Sequence, residues 1–199
     1  DQFVTLGTDI EYDVDATAPL WDATLLDAFA GDFGMVSFSQ RLAGYMMSGQ
    51  PNEHILVIPY GNGANGKSTI FGVLQQVFGR YCRTASADSF TTSRPGGSGG
   101  GAPREDLLRL RDARMVLVGE PEEDTYLRES LVKTVTGQDV VVARGIHAKN
   151  SAEFVPTWVP VMSTNHRPVI KGEDHGIWRR LMAIPFLRNF DTDPAVEKD

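Results

Sequence analysis

Gly61-Asn62-Gly63-Ala64-Asn65-Gly66-Lys67-Ser68-Thr69 decides how the rest of this chain is read. The spacing fits G-x-x-x-x-G-K-[ST], in which glycines let successive backbone N–H groups turn inward and the next helix adds its positive end. The flanks agree. His54-Ile-Leu-Val-Ile-Pro-Tyr60 is a short apolar run of the kind a buried parallel strand uses. After the loop, Ile70, Phe71, Val73, Leu74, Val77 and Phe78 recur at helical spacing, and Gly79 stands where such a helix stops. In this setting residues 61–69 form an expected phosphate cradle. Lys67 reaches the outer phosphates of a nucleotide, and the Ser68 hydroxyl ligates Mg²⁺.

A chain of 199 residues suits one domain with a full core. Cys82 is the sole cysteine, which excludes an internal disulfide and a thiolate metal cluster and suggests an intracellular setting. No apolar run approaches the roughly 20 residues of a membrane span, so no membrane partner is expected. The chain opens without methionine, and we read it as a piece of something longer.

The net charge is −7, but it is unevenly spread. Residues 1–40 carry eight acids and no Lys or Arg, and residues 191–199 carry four acids and one Lys. The body, 41–190, holds 18 basic and 14 acidic residues. That distribution excludes a broadly basic nucleic-acid-coating protein, yet leaves room for a channel.

Residues 1–18 read as an acidic, loosely tied arm. Helical periodicity follows from Pro19 to a stop at Gly31, and again over 38–47. These segments make a small helical lead-in, 19–50, to a core over 51–190 with a polar tail over 191–199. Residues 81–85 read as a second strand. The Gly- and Ser-rich stretch 91–103, with its lone Arg94, reads as a surface loop, and 103–111 as a short helix.

Arg114-Met-Val-Leu-Val-Gly-Glu-Pro-Glu-Glu-Asp124 is an apolar strand ending in acids. A carboxylate at a strand's carboxyl end faces the crevice of an open α/β sheet, where it can polarise water or hold Mg²⁺ through water. Glu120 follows the strand directly and is the expected one; Glu122, Glu123 and Asp124 suit a solvated turn. Residues 126–136 read as a helix closed by Gly137. Val140-Val-Val-Ala-Arg144 and Ala152-Glu-Phe-Val155 read as two strands joined by a basic tip. By residue type alone, His147 and Lys149 fit a nucleic-acid finger and a solvated loop equally well. Residues 158–165 read as another strand ending in Asn165, although Pro160 argues against a central position. Arg179 and Arg180 stand ahead of a last apolar run. A guanidinium forks onto phosphate oxygens, so either arginine suits a transition-state contact or a surface ion pair.

In this order the pieces resemble the superfamily 3 helicase domain of phage and plasmid primase–helicases, over about residues 21–186. The resemblance is carried by Gly44-Tyr45, Asn65-Gly66-Lys67-Ser68, Gly119-Glu120, Lys133…Thr136-Gly137-x-Asp139…Ala143-Arg144, Ser163-Thr164-Asn165-His166-x-Pro168, and Ile177-Trp178-Arg179-Arg180-Leu181…Ile184-Pro185-Phe186. It implies an AAA+-like P-loop NTPase, α/β, with a central parallel sheet flanked by helices and a β-hairpin before the sensor strand. It also implies ATP and Mg²⁺ as cofactors, with Lys67 and Ser68 on phosphate and metal and Glu120 as the carboxylate that orients the attacking water. Many relatives carry Asp-Glu where this chain has Gly119-Glu120. Asn165 would be the sensor of the γ-phosphate. Arg179 or Arg180 would be the arginine finger, reaching a neighbouring subunit's nucleotide.

The same resemblance places Arg144, His147 and Lys149 on single-stranded DNA at a replication fork, within a homo-oligomeric ring, usually a hexamer. It implies a primase region outside this chain and a bacterial host cytoplasm, with a phage or plasmid origin. Two other functions fit a P-loop: an AAA+ ATPase that remodels protein or packages DNA without unwinding, and a small-molecule kinase.

Overall fold

The computed structural model describes residues 6–94, 104–145, 150–166, 168–172 and 175–193. Its centre is a five-stranded sheet in the order β2-β4-β8-β1-β9, with every neighbouring pair parallel. The strands are β1 (Leu56–Tyr60), β2 (Cys82–Ala85), β4 (Met115–Val118), β8 (Val159–Met162) and β9 (Leu181–Pro185). Parallel strands need crossovers, and the chain supplies them as helices on both faces. Between β1 and β2 runs α3 (Lys67–Phe78). Beyond β2 lie α4 (Ala87–Phe90), β3 (Thr91–Thr92) and α5 (Glu105–Leu108). β5 (Tyr126–Leu127), α6 (Glu129–Thr136) and the hairpin β6 (Val141–Ala143) with β7 (Ala152–Phe154) lead into β8, and α7 (His175–Trp178) leads into β9.

Successive strand residues point to opposite faces, so each strand feeds two cores. Leu56, Ile58, Val116, Val118 and Met162 pack with Trp158, Val132, Val135 and Ile177 on one side. Val57, Met115, Val159 and Val161 pack on the other with Phe71 and Phe78 of α3 and with Leu25 and Met46 of the lead-in. That lead-in comprises α1 (Pro19–Ala28) and α2 (Phe33–Ser48). The expected architecture is therefore the observed one: a parallel sheet between helices, a helical lead-in, and a hairpin ahead of β8.

Three local readings change. Tyr126 and Leu127 do not open a helix. They pair with Thr91 and Thr92, the Arg128 N–H donates to the Phe90 carbonyl at 2.7 Å, and this pairing overrides the helical spacing. The second helix starts at Phe33, well ahead of residue 38, because the Asp32 carboxylate accepts from the Met35 N–H at 3.0 Å and caps it. Pro160, read as an obstacle to a central strand, lies in one. The N–H groups of β1 alternate, and those of Leu56 and its even-numbered partners face β9. Pro59 and Pro160 consequently turn their missing donors toward the same β1/β8 seam. There the register holds at Val57↔Val161 and resumes only at Tyr60↔Thr164.

The acidic arm is tied at its described start. The Tyr81 hydroxyl donates to the Leu6 carbonyl at 2.8 Å, and the Thr8 hydroxyl donates to the Val77 carbonyl at 2.9 Å. Among the described residues no helix is long and apolar enough to cross a membrane.

Two outcomes test this packing. Asp32→Ala removes a helix cap worth about 1 kcal/mol, and in a chain of this length it should lower Tm by ~2–4 °C. Burial pushes the Cys82 thiol from its ordinary 9.0 up to about 11. The folded thiol keeps its proton after the unfolded one has lost it, so stability falls as pH rises from about 9 to about 11. Cys82→Ala should flatten that fall in urea titrations run across the window.

Candidate functional site

The carboxyl ends of β1, β8 and β4 lie side by side, and each delivers one chemically active segment to the same crevice. β1 runs into the loop 61–66. A Cβ on Gly61 would stand 2.2 Å from the Phe186 carbonyl oxygen and 2.4 Å from Asn65 Nδ2, so only glycine fits that turn. Gly63 and Gly66 have φ of +78° and +81°, the left-handed region that glycine adopts without strain. Helix α3 begins at Lys67 with no side-chain cap, which leaves its amino end to hold an anion.

The Lys67 ammonium is buried and donates to three oxygens: the Gly61 carbonyl at 2.7 Å, Asn165 Oδ1 at 3.1 Å and Asn65 Oδ1 at 3.2 Å. Burial lowers its pKa from 10.5, and the charge of Glu120 works in the opposite direction. Asn65 is buried too, and its Nδ2 donates to the Phe186 carbonyl at 3.4 Å. The Glu120 carboxylate, just past β4, accepts from the Asn165 N–H at 2.8 Å. Lys67, Asn165 and Glu120 thus form one connected set drawn from three strands. Ser68 and Thr69 line the same cleft, of about 400 Å³.

Ser68 and Glu120 are the residues here that suit a divalent cation. Among the described residues no group of three His, Cys, Asp or Glu side chains could hold a metal ion by itself. The set fits Mg²⁺, which takes few protein ligands and fills its shell with water and substrate phosphate. Glu122, Glu123 and Asp124 are exposed in the following turn.

The loop is propped from behind by residues from the end of the core, from the lead-in and, in Asp193, from the expected polar tail. The Phe190 N–H donates to the Ala64 carbonyl at 2.7 Å. Arg188 donates to Asp27 Oδ1 at 2.7 Å and to Asp193 Oδ2 at 2.8 Å, and its guanidinium lies 5.2 Å from the Phe190 ring centroid. Both carboxylates hold the Arg188 pKa above its ordinary value, that of Asp193 foremost. Asp27 and Arg188 are 161 positions apart, so no local pattern in the sequence signals this clamp.

The two arginines separate cleanly. Both precede β9, and the Arg180 carbonyl accepts from the N–H of Leu56 at the start of β1. They therefore sit at the opposite end of the sheet from the cradle, roughly 13 Å away along the strand at ~3.3 Å per residue. Arg180 is buried, and its Nε donates to Thr136 Oγ1 at 3.2 Å while Nη1 donates to the Gly176 carbonyl. Arg179 is exposed. Arg144 is exposed just beyond β6, whereas His147 and Lys149 lie outside the described residues.

The comparisons add names. Over 159 residues the chain is 30% identical to a protein of Acanthamoeba polyphaga mimivirus named a "putative helicase"; the match covers 80% of this chain and 16% of that protein. Over 158 residues it is 26% identical to a "putative helicase" of frog virus 3, covering 78% of this chain and 16% of that protein. Over 151 residues it is 26% identical to a "putative primase" of African swine fever virus, covering 73% and 15%. The chain thus spans about a sixth of the length of these relatives. No family model matches it. Among solved structures, the apo C-terminal region of NrS-1 superposes with a TM-score of 0.67 at 13% identity, over 93% of this chain and 42% of that one. Its fold is shared, and the relatives carry helicase and primase names.

Unequal roles for the arginines predict unequal stability effects. Arg180→Ala takes the guanidinium donor from the Gly176 carbonyl and from Thr136 Oγ1, which keeps its bond to the Val132 carbonyl, and should cost about 2 kcal/mol. Arg179→Ala should leave the urea midpoint within error of the parent.

Proposed function

We propose that this chain is the ATP-hydrolysing motor domain of a DNA helicase of the superfamily 3 kind, part of a phage or mobile-element primase–helicase working in the host cytoplasm. The observation that carries this reading is the joined set Lys67–Asn165–Glu120 at the carboxyl ends of β1, β8 and β4, beside the open amino end of α3. The names of the viral relatives support it.

On this reading ATP lays its phosphates on the cradle 61–69, where Lys67 offsets their charge and the α3 N–H groups donate to their oxygens. Ser68, with Glu120 through water, would hold Mg²⁺, which supplies charge neutralisation at the outer phosphates. Glu120 takes hydrogen bonds from an attacking water and draws off its proton. The Asn165 amide would donate to the outermost phosphate.

Arg179 cannot bend back to its own cradle. It would serve the nucleotide of a neighbouring copy in a ring, entering by the second cleft, of about 340 Å³, that meets the first at Gly63 and Asn165. A heterologous contact of this kind closes into rings, here a hexamer. The hairpin β6–β7, with Arg144 and with His147 and Lys149 from the sequence between its strands, would then grip single-stranded DNA by its phosphates.

Mixing separates this reading from others. Lys67→Ala and Arg179→Ala should each abolish hydrolysis and strand displacement, with Arg179→Ala still binding ATP. Combined in equal amounts, the two should regain activity at roughly a quarter of the interfaces, because a Lys67→Ala subunit still lends its arginine to an Arg179→Ala neighbour. No recovery on mixing removes the shared site. Hydrolysis without strand displacement by the parent chain removes the helicase in favour of a remodelling ATPase.

A further inference from the structure

An ammonium has three N–H donors and no acceptor. Lys67 spends all three on protein: the Gly61 carbonyl, Asn65 Oδ1 and Asn165 Oδ1, at 2.7, 3.2 and 3.1 Å. A phosphate oxygen can be gripped by this lysine only by displacing one of them.

The three acceptors are not equally easy to displace. The Gly61 carbonyl is backbone in a turn that no Cβ could enter, and it makes the shortest contact. Asn65 is buried, with the other end of its amide on the Phe186 carbonyl. Asn165 is exposed and lines the cleft, in the segment after β8. Its backbone is fixed to Glu120 through the N–H, so the side-chain amide can swing without unseating the residue. The β1/β8 seam that leads to it lacks the donors of Pro59 and Pro160 and closes again only at Thr164, whose N–H donates to the Pro59 carbonyl at 3.0 Å.

We propose that the Asn165 amide is a latch on Lys67 that competes with phosphate for the ammonium, and that nucleotide is held only after this amide lets go. The proposal rests on the nucleotide reading above and goes beyond it. A sensor that only touches the γ-phosphate has no influence on a ligand without one. A latch on Lys67 opposes every phosphate ligand, ADP included.

ADP is therefore the probe. Calorimetry with Mg²⁺ and ADP compares the parent chain with Asn165→Ala, Asn165→Ser and Asn165→Asp, each checked for an unchanged Tm. Losing one competing hydrogen bond to a charged group should tighten ADP roughly ten- to a hundredfold in the Ala and Ser variants. The Asp carboxylate holds the ammonium harder than an amide does, so Asn165→Asp should weaken ADP by about tenfold or more. Unchanged or weaker ADP binding in both Asn165→Ala and Asn165→Ser overturns the latch while leaving the nucleotide reading intact. Failure of the parent chain to bind ADP at all removes the nucleotide reading and the latch with it.

Discussion

Parallel alignment of β1, β8 and β4 is the constraint on which the rest depends. Parallel strands end on the same edge, so three segments far apart in sequence discharge their polar residues at one place. A buried lysine is tolerable only where oxygens meet it, and the alignment brings two of those oxygens within reach: the Gly61 carbonyl from β1 and the Asn165 amide from β8. Glu120 from β4 adds the opposite charge and ties the Asn165 backbone. A slip of one residue along β8 would turn Val161 outward from its core, so packing fixes the register that the site needs.

What could be read from the chain alone follows the range of the interaction. The cradle is contiguous, and its glycines are demanded by local backbone geometry, so residues 61–69 announce themselves. Glu120 and Asn165 were legible as polar residues that end apolar runs, since strand ends in an open α/β sheet are where ligands are met. Arg180 was not distinguishable from Arg179. Its partners, Thr136 and Gly176, come from two different elements, and adjacency in sequence says nothing about which of two arginines turns inward. The clamp of Arg188 on Asp27 and Asp193 was hidden for the same reason, and the acidic ends that look solvated include residues which brace the cradle.

Pro160 shows a different limit. The rule against proline in a central strand assumes that both sides of the strand are fully laddered. Here two prolines face one another's seam, so the cost falls on a single boundary while the β1/β9 and β4/β8 ladders stay complete. Helical spacing over 126–136 failed in a comparable way, because a two-residue strand with Thr91 and Thr92 outweighed periodicity that was real in α6 but not in the residues before it.

The sheet also has two chemically different ends. At one stand the cradle, Lys67, Asn165 and Glu120; at the other an exposed guanidinium, Arg179, projects from a turn that Arg180 pins to α6. Strand length keeps the two apart. Burial of Arg180, with its bonds to Thr136 and Gly176, anchors the backbone that carries Arg179. On the proposed function, a second copy presenting its own cradle to that end would complete one shared site at that interface, and a head-to-tail arrangement repeats it around a ring. On the same reading, the polarity of a parallel sheet makes a second copy, rather than the single chain, the source of the guanidinium.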